Sequence, residues 1–242
     1  MLPRSLFFGW KSAKRSTRLT RSHRATQPGR RRLRVEPLEE RALLAVNSIV
    51  AENQLPGTDP NVWDITGAGD PSIQGYATDI SVNVGQTVQF KIDDNARVPY
   101  HIDIYRMGYY GGLGARLADQ ISSSETLPQD QPDPLTDAAT GLVDAGNWSV
   151  SASWNVPTDA VSGIYFAHLV RDDNNGEGSH IYFVVRNDDS QSDLLFKTSD
   201  ATWQAYNDYG GNSLYTASAD TGLARAYKVS YNRPFNTREV DG

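Results

Sequence analysis

The densest group of chemically able side chains lies in residues 202–215. There Trp203, Tyr206, Tyr209 and Tyr215 are interspersed with Gln204, Asn207 and Asn212 around the pair Gly210-Gly211. Neutral phenol, indole and amide groups suit hydrogen-bonded recognition of an amide or another polar organic ligand, and a deprotonated Tyr also binds a hard metal. A second group, Tyr231, Asn232 and Arg233, follows residues 226–230. The substrate-pocket candidates are therefore Trp203, Tyr206, Asn207, Tyr231, Asn232 and Arg233. No catalytic residue is assignable, because this region contains neither a Ser-His-Asp order nor a carboxylate pair. The competing reading of residues 202–215 is a rigid aromatic loop that seals an interface between domains.

Such side chains need an element to present them. The apolar run Leu194-Leu195-Phe196 precedes them directly and reads as a buried strand. In open α/β sheets, ligands sit at the carboxyl ends of strands. Residues 226–230 are a candidate second strand. With 27 residues after Tyr215, the chain is expected to begin such a domain without finishing it.

Upstream, residues 49–187 carry the alternation of short strands. Ile80, Val82 and Val84 alternate with polar residues, and Gly85-Gln86 turns the chain into Val88, Phe90 and Ile92. Residues 100–105 and 148–154 alternate again. Gly163 opens an apolar run over 164–170, Asn175-Gly176 signals a tight turn, and 181–185 would return. About six short strands with hardly a helical period predict a mainly β fold, a sandwich of the immunoglobulin or fibronectin type. Residues 127–142, rich in Pro, Asp and Thr, are an exposed connection. The polar stretch 187–192 marks a boundary. The expected organisation is a basic segment over 1–47, a β-sandwich over 48–188 and the opening of an α/β domain over 189–242.

Other motifs invite chemistry and fall short of it. The glycines of residues 105–116 match neither a dinucleotide fingerprint nor a P-loop, so a Gly-rich turn with Tyr109 and Tyr110 packed over the sandwich end is expected. His101, His168 and His180 lie in or beside strands without metal-ligand spacing, which makes them strand-face or edge residues. Asp172, Asp173 and Asn174 precede Gly176 where a calcium loop needs an oxygen ligand, so a hairpin turn accounts for them. Trp148 and Trp154, six apart, would share one face of a strand. They are core residues or, alternatively, an aromatic platform for sugars.

Charge is unevenly spread. Residues 1–41 hold 12 Lys/Arg against 3 Asp/Glu, and the remainder holds 11 against 26. The acidic body argues against nucleic acid as its partner. The basic tail has three readings: an export segment, a nucleic-acid arm or a membrane-surface anchor. Cysteine is absent, which removes thiol catalysis, Cys-ligated zinc and disulfides. No stretch approaches the roughly eighteen apolar residues of a membrane-spanning helix.

Two resemblances bear on these alternatives. Residues 34–45, with Glu36-Pro37-Leu38-Glu39-Glu40-Arg41-Ala42-Leu43-Leu44 at their centre, resemble the Leu-Glu-Pro-Leu-Glu-Glu-Arg-Ala-Leu-Leu motif near the N-termini of many exported planctomycete proteins. That resemblance favours export and implies a secreted or cell-surface protein. From about Ile49 onward the chain resembles the N,N-dimethylformamidase large (beta) subunit family. The likeness is carried by residues 103–116, 162–165, 202–215 and 228–235. It implies a β-sandwich ahead of an α/β domain similar to class I glutamine amidotransferases, and a parent activity that hydrolyses the C–N bond of a small amide. It also implies a mononuclear iron held by two Tyr and one Glu. None of those ligands matches a position here, and the family segments that would supply them are expected beyond Gly242. Expected, then, is a truncated relative without the full active site and without a metal of its own. The alternative is a non-catalytic binding or spacer module of a cell-surface protein, contacting carbohydrate or protein.

Overall fold

A computed structural model describes residues 47–95, 97–122, 129–173, 178–216 and 224–236. Alternating apolar and polar residues make strands because successive side chains point to opposite faces. Among the described residues ten strands form: β1 (Ile73–Ala77), β2 (Ser81–Asn83), β3 (Thr87–Asp94), β4 (Tyr100–Met107), β5 (Ala115–Ser122), β6 (Leu135–Asp137), β7 (Leu142–Asp144), β8 (Ala152–Asn155), β9 (Gly163–Arg171) and β10 (Gly178–Arg186). Three short helices accompany them, α1 (Ser48–Asn53), α2 (Pro60–Trp63) and α3 (Asp200–Tyr206).

The strands form a three-stranded sheet in the order β1-β3-β8, a five-stranded sheet in the order β2-β10-β9-β4-β5, and the pair β6-β7. All neighbours are antiparallel except β2, which runs parallel to β10. Gly85, at φ +76°, lets the chain leave β2 in one sheet and enter β3 in the other. The two larger sheets bury one core between them. Ile73, Val88, Phe90 and Ile92 on one side meet Ile102, Ile104, Leu169, Phe183 and Val185 on the other, with Trp154 among them. The chain is mainly β, with the two packed layers of a sandwich.

Several expectations fail for local reasons. Trp148 and Trp154 do not share a strand, since β8 starts only at Ala152. Ahead of it, Gln131 Oε1 accepts the Ser149 N–H and Ser151 Oγ accepts the Ile92 N–H, so side chains take bonds that a strand ladder would make. Both indoles are nevertheless buried. Trp154 lies in the main core, and Trp148 lies against Tyr76 at 5.9 Å between ring centroids. Of the tyrosines in the Gly-rich turn, Tyr110 packs inward, bonded to Glu52 and Arg106, while Tyr109 is 71% exposed.

The strand expected at 194–197 does not form. Leu194, Leu195 and Phe196 are 89%, 94% and 79% exposed, and no described residue pairs with their backbone. A buried strand exists only where neighbours satisfy its N–H and C=O groups. Nor do residues 226–230 form a strand: the Ala226 and Tyr227 amides donate instead to Ser213 and Thr140 carbonyls. The first part of 202–215 is not a loop but lies in α3, whose Ala201, Gln204 and Ala205 favour helix over extended chain. An α/β domain is not seen. The exposed connection at 127–142 contains β6, fully exposed and paired with β7. The basic segment over 1–46 and the Asn175-Gly176 turn lie outside the described residues, although the strands that this turn would join are antiparallel neighbours.

The outer face of the five-stranded sheet carries a polar row. His180, His168, Asp103 and Gln120 are successive cross-strand partners on β10, β9, β4 and β5. Gln120 Nε2 donates to Asp103 Oδ1 at 2.7 Å. His180 Nε2 lies 2.7 Å from the Trp63 carbonyl, and His101 Nδ1 lies 2.7 Å from Asp172. No group of three His, Cys, Asp or Glu among the described residues could hold a metal. His168 is buried, its Nδ1 has no partner, and burial pushes it down to about 4 despite the nearby Asp103.

That depression makes a prediction with a definite sign. Between pH 4 and 6.5 the unfolded chain binds the His168 proton and the folded one does not, so stability rises with pH across this window. His168 contributes stability that is complete above about pH 6.5 and falls by about 3 kcal/mol as pH drops to 4. Urea titrations of the parent and His168→Gln proteins at pH 7, 5.5 and 4.5 should differ by this slope. Parallel pH dependences would contradict it.

Candidate functional site

On α3, Asp200, Trp203 and Gln204 stand at spacings of three and four and share one face. That face meets residues 75–78 of β1 and Ile181 and Tyr182 of β10 across a cavity of about 60 Å³. Tyr231, Arg233 and Phe235 complete its wall. The segment reaches this place because it is anchored on the outer side of the three-stranded sheet. Tyr209 packs edge-on against Trp148, and the Tyr76 hydroxyl donates to the Ala145 carbonyl. Ser230 Oγ donates to Asp144, and the Ala145 N–H donates to the Asn232 carbonyl. Gly210 is required there: its φ is +77°, and a Cβ would stand 2.7 Å from Val143 Cγ1.

Arg233 organises the site. It is 1% exposed, and its guanidinium is caged by backbone carbonyls. Nη1 donates to Tyr209 and Asn212, and Nη2 donates to Gln204 and Asn207, at 2.7–3.1 Å. Nε has no partner. Burial pushes the group down to about 10, with Asp208 opposing weakly, so it remains a cation near neutral pH. Tyr231 donates its hydroxyl to Asp200 Oδ2 at 3.0 Å, and burial and that carboxylate hold its pKa above the ordinary range.

Of the six candidates, three meet on the cavity wall: Trp203, Tyr231 and Arg233. The others stand elsewhere. Asn207 is fully buried and knots the backbone, donating to Gln204 Oε1 and the Pro234 carbonyl and accepting from Tyr209 and Asn236 amides. Tyr206 stacks on Tyr215 at 4.2 Å and 10°, both half-exposed. Asn232 faces Asp144 on β7. Asp200 and Gln204 were missed as wall residues. Reading 200–206 as a helix would have found them, since they flank Trp203 on its face.

The wall combines one cation, one carboxylate and aromatic rings, which suits recognition of a polar ligand. An iron held by two phenolates and a carboxylate does not fit these residues. Burial pushes Tyr76, Tyr105, Tyr165 and Tyr209 up to about 12, and Tyr231 is also raised, so all five favour the neutral phenol.

Arg233→Lys tests the cage. An ammonium keeps the charge but cannot span four carbonyls set around a planar fork. The expected loss is about 3 kcal/mol in a urea melt followed by Trp fluorescence. A change under about 0.5 kcal/mol, ordinary for a surface site, would contradict the cage.

Comparison with known proteins gives one family. A model described as N,N-dimethylformamidase beta subunit-like, C-terminal, matches residues 101–242. No curated protein matches the chain. Among solved structures, the cellulose-active LPMO CelS2 in complex with copper aligns at 15% identity and a TM-score of 0.27, over 44% of this chain and 52% of that one. Salmonella alpha-2-macroglobulin reacted with methylamine aligns at 14% identity and a TM-score of 0.29, over 55% of this chain and 7% of that one. Scores this low place no constraint on fold or function.

Proposed function

The chain belongs to the N,N-dimethylformamidase beta subunit-like family, and on that premise we propose that it serves the hydrolysis of a small amide's C–N bond as scaffold and pocket wall. In this reading residues 48–188 are a sandwich of the immunoglobulin or fibronectin type, and residues 189–242 belong to an α/β domain. Residues 1–47 direct the protein to the exterior or the cell surface.

One observation carries the reading. Leu194, Leu195 and Phe196 lie 79–94% exposed in sequence, directly ahead of the helix that presents the cavity wall. Three such side chains in a row are the mark of a surface meant to be covered, here by further strands of a sheet. The cavity would contribute recognition through Trp203, Tyr231 and Arg233. Bond cleavage needs groups outside the described residues, among them any iron, whose role in the family would be to polarise the amide carbonyl.

A second reading, a non-catalytic module that contacts carbohydrate or protein, is favoured by the exposed Tyr206–Tyr215 stack. Trp148 and Trp154, each 3% exposed, offer no face to a sugar.

Two measurements test the first reading. The purified chain should release no dimethylamine from N,N-dimethylformamide above background; turnover by the chain alone would refute its role as scaffold. Leu194→Ser with Phe196→Ser should leave stability within about 0.5 kcal/mol, as expected of side chains that touch nothing. A larger loss would show that they are already packed.

A further inference from the structure

We propose that the cavity under α3 binds a small zwitterion of the α-amino-acid class, with the ligand carboxylate on the Arg233 guanidinium and its ammonium against Asp200 and the rings of Trp203 and Tyr231. The charge pattern of the wall is the first argument. Among its lining residues Arg233 is the one cation and Asp200 the one anion, and the remainder are neutral. The second is an unfinished interaction. Arg233 is 1% exposed with four carbonyls on Nη1 and Nη2, yet its Nε–H is buried without a partner and no carboxylate touches it. A buried cation surrounded only by dipoles favours an anionic partner, and a buried donor left unsatisfied is costly.

At the other pole, Asp200 accepts from the Tyr231 hydroxyl and from Thr198 Oγ1, and a carboxylate has lone pairs to spare for an ammonium. Indole and phenol faces attract the same charge through their quadrupoles. Size sets the class. A cavity of about 60 Å³ holds about four or five water-sized groups, which is the count of non-hydrogen atoms in glycine. The inference stands apart from amide hydrolysis, because it concerns equilibrium binding at a wall that lacks cleavage chemistry.

Calorimetric titration of the intact chain with glycine, acetate and methylammonium separates the poles. Glycine should bind saturably, and each half-ligand should bind at least roughly tenfold more weakly. Asp200→Asn should weaken glycine by about tenfold while leaving acetate unchanged. That variant spares the Arg233 cage, and circular dichroism confirms its fold. Acetate binding as tightly as glycine, glycine indifferent to Asp200→Asn, or no saturable binding by any of the three would each overturn the proposal. Absence of amidase activity would not bear on it.

Discussion

Four backbone carbonyls converge on the Arg233 guanidinium, and the chain from residue 204 to 212 takes its path from that convergence. Peptide carbonyls in an irregular segment must otherwise find water or a ladder. A planar fork with paired donors satisfies several at once and holds them in a fixed relation. The cost is a buried cation, seen in the depression of Arg233 to about 10. The same arrangement leaves Nε–H unused at the edge of a cavity, so the structural device and the candidate binding group are one side chain.

The sandwich supplies the rigid surface against which this segment folds. Its core is apolar on both inner faces, which frees the outer faces for polar and aromatic work. On the three-stranded side, Tyr76 and Trp148 receive Tyr209. On the five-stranded side, Trp63 covers Phe166 beside the His180–His168–Asp103 row. At one end Glu52 of α1 pairs with Arg116, and the Tyr110 hydroxyl bridges Glu52 to Arg106. These contacts hold α1 and the Gly-rich turn together without any metal or phosphate.

Much of the sandwich was legible because alternation is a local signal. Strands β3, β4, β9 and β10 stood out through residues such as Val88, Phe90 and Ile92, or Ile102 and Ile104. Strand β5 did not, since it is a largely exposed edge and the pairing slips between Ile104 and Tyr105, leaving Ala118 unmatched. Strand β6 is exposed throughout and carries no apolar pattern at all. The histidines could be placed in strands, but that His168 stands between His180 and Asp103 depends on register across three strands. The site was half legible for the same reason. Aromatic composition singled out Trp203 and Tyr231, while the cage around Arg233 uses main-chain atoms and leaves no mark in side-chain types. Leu194-Leu195-Phe196 shows the converse limit, a run whose strand character is plain in sequence and absent where no partner strand lies beside it.

The central claim is that the segment around Arg233 is folded onto the sandwich as a cooperative unit, and native-state hydrogen exchange addresses it amide by amide. The amides of Asn207, Leu214 and Ala226 donate to Trp203, Ala205 and Ser213 within the segment. The account predicts that these three amides are protected and exchange with one common opening free energy, well above that of the residues near Leu194 to Phe196. Exchange of all three at the rate of free chain, while β4 and β9 stay protected, would contradict it.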